Sequence, residues 1–193
     1  MLFLQLTFSK TNLLFMRKLI LYIATSVDGF IAKPEDDLSF LSIVAKEGED
    51  YGYQAFVESV DSVILGRRTY DWVNKNATYP HQDKQTYVLT RQTKAKEGNI
   101  TFYDGSLSEL VSELKKVTDR QKADKNIFCD GGAQVVAALL AQNLIDELII
   151  SIVPILVGNG IKLFEQERPE MRLTLVDVKK FDTGLVQLHY KKY

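Results

Sequence analysis

Short apolar runs alternate along this chain with segments whose apolar residues recur at helical spacing. Residues 18–24 (KLILYIA) are apolar at nearly every position, which predicts a strand covered on both faces. Residues 62–65, 86–90, 126–130 and 147–153 carry the same signal, and 100–103 a shorter one. Leu38, Leu41, Val44 and Ala45 predict a helix capped by Asp36 or Asp37 and broken at Gly48-Glu49-Asp50. A second short helix is expected over 51–60, and another begins at Arg67 and runs through Val73. Ser106 with Glu109 three residues on is a capping-box pattern for a helix over 107–117. Residues 133–141 predict one more helix. Residues 174–181 and 184–190 form a terminal hairpin around Asp182-Thr183-Gly184. This alternation, closed by two strands, predicts an α/β domain with a mainly parallel sheet and an antiparallel C-terminal edge.

No repeat or linker interrupts the pattern, so one domain is expected over residues 16–193. Residues 1–15 are rich in Leu and Phe and hold the charge of Lys10 in their middle. That order does not suit a signal peptide, so they read as an N-terminal extension upstream of a functional start at Met16.

Composition narrows the classes. Of 193 residues, 46% are hydrophobic and 25% charged, a globular balance. The net charge of −1 offers no basic excess for a nucleic-acid backbone. One cysteine rules out an internal disulfide, and with two histidines it leaves little for a structural zinc site, so no metal is expected, although an all-carboxylate site stays open. Reducing cytoplasm suits this usage. No apolar run reaches the ~20 residues of a membrane span. Cys129 reads as an inert core residue, Trp72 as core packing, and His81 as part of a polar loop. His189 falls in the last strand, and neither histidine has a neighbouring nucleophile pattern, which disfavours a hydrolytic triad.

Three places join chemistry to this framework. In Leu65-Gly66-Arg67-Arg68-Thr69-Tyr70 a strand enters a helix through one glycine. The first helical amides and the helix dipole favour an anion there, and two adjacent arginines add bidentate geometry for phosphate. The Thr69 hydroxyl is a further donor. The surplus positive charge suits a dinucleotide with an additional 2′-phosphate; the plainer alternative is a solvated basic turn. In Phe128-Cys129-Asp130-Gly131-Gly132-Ala133-Gln134-Val135 a second strand meets a helix through two glycines. They let the backbone approach a pyrophosphate closely, although the spacing is neither a Rossmann fingerprint nor a P-loop. The plainer alternative is a tight packing turn. The third place is Asp37. A carboxylate at a helix start would face the carboxyl ends of the strands, where open α/β sheets bind ligands. It could hold or protonate a heterocyclic nitrogen, or simply cap the helix.

Taken in order, KLILYIATSVDGFIA, VDSVILGRRTYDWV, TYVLTR, NIFCDGGAQVVAALL and DELIISIVPILVGNGIKLF resemble the dihydrofolate-reductase-like superfamily. The closer resemblance is to the bacterial branch that is similar to the reductase domain of the riboflavin biosynthesis deaminase/reductase. It implies a three-layer α/β fold with helices on both faces of the sheet, NADPH as cofactor, and a homodimer, which the apolar strand over 149–157 makes plausible. Gly66, Arg67, Arg68 and Thr69 match the turn that holds the NADPH phosphates. Thr90 and Arg91 match the strand end that binds the 2′-phosphate. Gly131 and Gly132 match a Gly-Gly pair whose peptide is typically cis, and Ala133, Gln134 and Val135 the amides under the pyrophosphate. Ala24 and Ile31 match positions beside the nicotinamide carboxamide. Asp37 falls at the substrate-binding acid, and Ser151 where a Thr often bonds to that acid. Phe40, Tyr53, Val153 and Leu156 are the expected pocket walls.

The loop between Asp28 and Asp37 is shorter than the mobile lid of dihydrofolate reductases, and nothing matches their arginine for the folate tail. The expected activity is therefore hydride transfer from NADPH to a C=N or C=O group of a pterin-like or other heterocyclic small molecule, with Asp37 orienting substrate or relaying a proton. Two alternatives stay open. One is the 5-amino-6-(5-phosphoribosylamino)uracil reductase of riboflavin biosynthesis. The other is a nucleotide-binding protein without turnover.

Overall fold

The strand β1 (Leu19–Ser26) divides its side chains between two cores. Leu19 and Leu21 pack in one apolar cluster and Ile20 in the other. Successive strand residues point to opposite faces, so a run apolar at every position marks a strand buried on both. The same holds for β3 (Val60–Gly66), where Ile64 joins the first cluster and Val63 and Leu65 the second. The computed structural model describes residues 17–92, 94–116, 125–164 and 167–193; the expected extension over 1–15 lies outside them.

The remaining strands are β2 (Phe30–Ala32), β4 (Gln85–Leu89), β5 (Ile100–Tyr103), β6 (Asn126–Gly131), β7 (Glu147–Val153), β8 (Ile161–Lys162), β9 (Leu173–Lys180) and β10 (Val186–Lys192). Eight of them form one sheet in the order β5-β4-β3-β6-β1-β7-β10-β9. Pairing is parallel from β5 through to β7; β10 then runs antiparallel to β7, and β9 antiparallel to β10. The chain thus builds outward from β1 to β5, returns to insert β6 between β3 and β1, and crosses to β7. That reversal leaves a crevice at the carboxyl ends of the parallel strands.

Helices cover both faces, as expected. Phe56 of α1 (Tyr53–Glu58) and Tyr70 of α2 (Arg67–Asn76) pack on one. Leu110 and Val111 of α3 (Leu107–Lys115) and Val135, Val136, Leu139 and Leu140 of α4 (Ala133–Ala141) pack on the other. The Ser106 side chain caps α3 by accepting the Glu109 N–H. A small antiparallel sheet of β2 and β8, not foreseen from the sequence, closes one end of the crevice. Beside it the Asp28 carboxylate accepts the N–H groups of Val157 and Gly158 and the Ser26 hydroxyl, which lowers its pKa to about 2.

Three expectations need correction. The helix expected from Leu38 is a 3-10 helix, Ser39–Val44, entered from a 3-10 turn at Pro34–Asp36. Two of its apolar positions, Phe40 and Val44, are buried, and the extended Ala45 ends it after six residues. The helix expected over 51–60 is confined to α1, because Tyr51 and Gly52 hold positive φ before it and Val60 already belongs to β3. His81 is not in a solvated loop: it is 2% exposed and ringed by Tyr53, Tyr79 and Phe128.

Candidate functional site

The strand ends open onto one cavity of about 1440 Å³. That exceeds the roughly 300–1,000 Å³ of an ordinary small-molecule pocket, so it has room for more than one ligand. Two sets of elements line it. One consists of Gly66, Arg67, Arg68 and Thr69 at the start of α2, Thr90 and Arg91 after β4, and Gly132, Ala133, Gln134 and Val135 at the start of α4. Because β3, β4 and β6 are neighbours in the sheet, residues far apart in sequence meet at one edge of the crevice. The other set lies toward β1 and β7 and includes Tyr22, Ala24, Ile31, Tyr53, Phe128, Asp130, Ser151 and Val153.

The two glycine turns are physically joined. The Gly132 N–H donates to the Thr69 hydroxyl oxygen at 3.0 Å. A Cβ on Gly66 would come within 3.1 Å of Val135 Cγ2, and one on Gly132 within 3.3 Å of Thr69 Oγ1. The Gly131-Gly132 peptide is cis. Two helix N-termini, α2 and α4, therefore open side by side on the cavity with little side-chain cover. Arg67 donates through Nε to Asp71 at 2.7 Å. Its Nη1 is buried and has no hydrogen-bond partner among the described residues. The Arg67 guanidinium carbon lies 5.5 Å from the centroid of the Phe102 ring, so this end of the side chain packs against an aromatic wall. Arg68 is turned the other way: its Nη2 pairs with Asp36 at 2.7 Å and its Nε with the same carboxylate at 3.0 Å.

Several expected residues lie elsewhere. Asp37 is not among the lining residues, and its side chain is 47% exposed. Its oxygens accept the Ser39 N–H at 2.7 Å and the Ser39 hydroxyl at 2.9 Å, with Lys33 nearby, so it closes the turn into the 3-10 helix. Those contacts hold its pKa below the usual carboxylate value. Ser151 does line the cavity, but its Oγ accepts from Gln187 Nε2 at 3.1 Å rather than bonding to Asp37. Phe40 is buried against Val44, Val153 and Leu185, which line the cavity while Phe40 does not, and Leu156 is 71% exposed outside it. Gly131 lies just beneath the lining and is buried. Trp72, read as core, is a lining residue.

Five aspartates line the cavity, Asp36, Asp50, Asp71, Asp104 and Asp130, and of these Asp130 lies near the end of β6. No opposite charge meets it, and desolvation raises its pKa to about 7. The sequence did hold a signal for it. Asp130 ends an apolar strand at the ligand-binding end of the sheet, where an unpaired carboxylate has no packing reason to be. Cys129 next to it is buried, and burial pushes its thiol up to about 12, as suits an inert core residue.

A model of the RibD C-terminal domain family matches residues 17–187. The chain belongs to this family. Among characterised folds, this RibD-type domain resembles the putative riboflavin biosynthesis protein of Shewanella sp. PV-4, with 28% identity, a TM-score of 0.79, and coverage of 91% of this chain and 99% of that one. It also resembles the bifunctional diaminohydroxyphosphoribosylaminopyrimidine deaminase/5-amino-6-(5-phosphoribosylamino)uracil reductase of Thermotoga maritima, at 15% identity and a TM-score of 0.68 over 92% of this chain and 57% of that one. The uncharacterized protein YwjB of Bacillus subtilis is 39% identical over 176 residues, 90% of this chain and 97% of YwjB. The fold of the RibD-type domain is thus the dihydrofolate-reductase-like α/β fold that the sequence blocks implied. Among the described residues no helix is long and apolar enough to cross a membrane, and no cluster of ligands could hold a metal ion.

Proposed function

We propose that this chain is an NADPH-dependent reductase of a small heterocyclic molecule of the pyrimidine or pterin type. The observation that carries the reading is the meeting of two helix N-termini on one cavity, tied by the Gly132 N–H to the Thr69 hydroxyl and lined by Arg67, Arg68 and Arg91. Fixed positive charge, open helix ends and side-chain-free glycines together suit the phosphates of a dinucleotide. In this reading Gly66, Arg67, Arg68, Thr69 and the amides of Ala133, Gln134 and Val135 hold the phosphates. Thr90 and Arg91 hold the 2′-phosphate, and Ala24 and Ile31 flank the nicotinamide. NADPH, when bound, supplies the hydride.

The chain's own residues orient the reactants, exclude water and manage the proton. Asp130 replaces Asp37 as the acid of this proposal. A carboxyl with a pKa of about 7 keeps a proton on about half of the molecules at pH 7 and can release it to the nitrogen or oxygen of the reduced C=N or C=O group. Membership in the RibD family, and the riboflavin-related names of its structural relatives, favour a pyrimidine over a folate. The proposal also includes a homodimer. Its support shifts from the strand over 149–157, which is interior between β1 and β10, to the exposed Leu175, Val176 and Val178 on the edge strand β9.

The decisive experiment follows NADPH oxidation at 340 nm with 5-amino-6-(5-phosphoribosylamino)uracil and with dihydrofolate side by side. Steady turnover with the pyrimidine supports the reading. Tight NADPH binding without turnover on either compound would leave the non-catalytic nucleotide-binding alternative standing.

A further inference from the structure

A polar pair on the β1 side of the cavity, the exposed Tyr53 and the buried His81, has no part in the function above. Tyr53, at the start of α1, lines the cavity and is 37% exposed. Its hydroxyl lies 3.3 Å from Nε2 of His81, in the loop between α2 and β4. His81 is 2% exposed, its ring at 5.7 Å from Phe128 and 5.6 Å from Tyr79, edge to face with both. Among the described residues Tyr53 is the ring's one hydrogen-bond partner, and Nδ1 is buried with none.

Burial, with the Lys84 charge beside it, lowers the His81 pKa, so the ring is neutral and carries one proton. Two arrangements are then open. A proton on Nδ1 would be a buried N–H donor with no acceptor, and the Tyr53 hydroxyl would be spent on Nε2. A proton on Nε2 is satisfied by the Tyr53 oxygen and leaves Nδ1 as a buried, unpaired lone pair. Buried unpaired N–H groups are the rarer fault in proteins, which favours the second arrangement. In it the phenolic oxygen is already an acceptor, so its own proton must turn away from His81. The open side of Tyr53 is the cavity, which Asp130 also lines, and an ionised Asp130 raises the pKa of this hydroxyl. Tyr22 and Phe128 pack edge-on against the Tyr53 ring, at 5.6 and 6.5 Å, and fix its plane.

We infer that His81 and Tyr53 form a substrate-recognition dyad, in which His81 Nε2–H donates to the Tyr53 oxygen and so aims the Tyr53 hydroxyl proton at a ring carbonyl oxygen of the heterocyclic substrate. Tyr53 is the residue that touches substrate; His81 is a positioning residue. The inference rests on the reductase reading for the identity of the ligand, but the hydrogen-bond direction stands apart from it. A preorganised donor of this kind rejects analogues that lack the carbonyl, because the hydroxyl is then left unpaired.

Two measurements test it. With only two histidines in the chain, His81 and His189, two-bond ¹H–¹⁵N spectra of ¹⁵N-histidine-labelled full-length protein read the tautomer directly. The expected signal for His81 is protonated Nε2; a protonated Nδ1 would overturn the inference, whatever the enzyme reduces. The second measurement is kinetic, on 5-amino-6-(5-phosphoribosylamino)uracil or dihydrofolate, whichever the wild type turns over. Tyr53→Phe should raise KM by ~10- to 100-fold with little change in kcat and none in NADPH affinity. His81→Phe should match it, and His81→Gln, which keeps an N–H donor, should restore most of the loss. Wild-type KM in Tyr53→Phe, or equal losses in His81→Gln and His81→Phe, would sink the dyad. A wild type that binds no NADPH would instead remove the reductase reading and leave the tautomer spectrum to judge the pair.

Discussion

Asp130 shows how much a single side chain's meaning depends on where the strand ends. As a letter in the sequence it is one acid before a Gly-Gly turn. In the structure it is a carboxyl without a cationic partner at the wall of the cavity, with its pKa raised to about 7. If it gives the proton, kcat/KM should be level below about pH 7 and fall roughly tenfold per unit above it. Asp130→Asn should lower kcat/KM by ~10²- to 10⁴-fold and remove that limb; a pH–rate profile measures both. The same shift links to stability. The folded state keeps a proton that the unfolded state releases, so between the ordinary value of 3.8 and about 7 the protein loses stability as pH rises. Arg91 belongs at this scale too. Arg91→Ala should weaken NADPH by ~10- to 100-fold, the worth of a charged hydrogen bond of about 1.5–3 kcal/mol, and leave NADH unaffected. Equal losses for both cofactors, read by fluorescence titration, would refute its 2′-phosphate role.

Among the elements, those set by two-sided burial were the easiest to read. Runs such as KLILYIA leave no polar face, and β1, β3, β6 and β7 fall where those runs predict. The α3 cap was legible because Ser106 and Glu109 act locally. The segment over 34–44 was not. Its apolar spacing is compatible with an α-helix, but Glu35 and Asp36 adopt positive φ and Asp36 is drawn to Arg68 across the cavity mouth. That contact is tertiary and leaves no local trace. The β2–β8 sheet was missed for a related reason: two and three residues are too few to make a pattern. Its geometry depends on Gly160, at φ +142, where a Cβ would sit 2.1 Å from the Ala32 carbonyl oxygen. Gly160→Ala must shift backbone, and should cost more than about 2 kcal/mol in a urea melt. An unchanged midpoint would mean that the small sheet adds nothing to stability.

For the whole molecule, the order of strands decides which residues share a site. The sheet ends in β9, an eight-residue edge strand whose Leu175 and Val178 are 52% and 43% exposed. Edge strands with exposed apolar residues are templates for association. Sedimentation velocity should give a two-chain mass, and Leu175→Lys with Val178→Lys should reduce it to one chain without altering secondary structure. A monomeric wild type would remove the dimer from the proposal.

The sequence by itself determined the class of fold, the run of strands and most of the helices, and the two glycine turns, because these follow from local burial patterns and backbone freedom. It also held the family blocks in order. Tertiary structure alone decided that Thr69 holds Gly132, that Asp37 turns outward, that desolvation raises the pKa of Asp130, and that His81 is buried behind Tyr53. Each of these depends on which strand lies beside which and on how far water is excluded. Desolvation and hydrogen bonds across long sequence separations are properties of the assembled sheet, and no spacing along the chain encodes them.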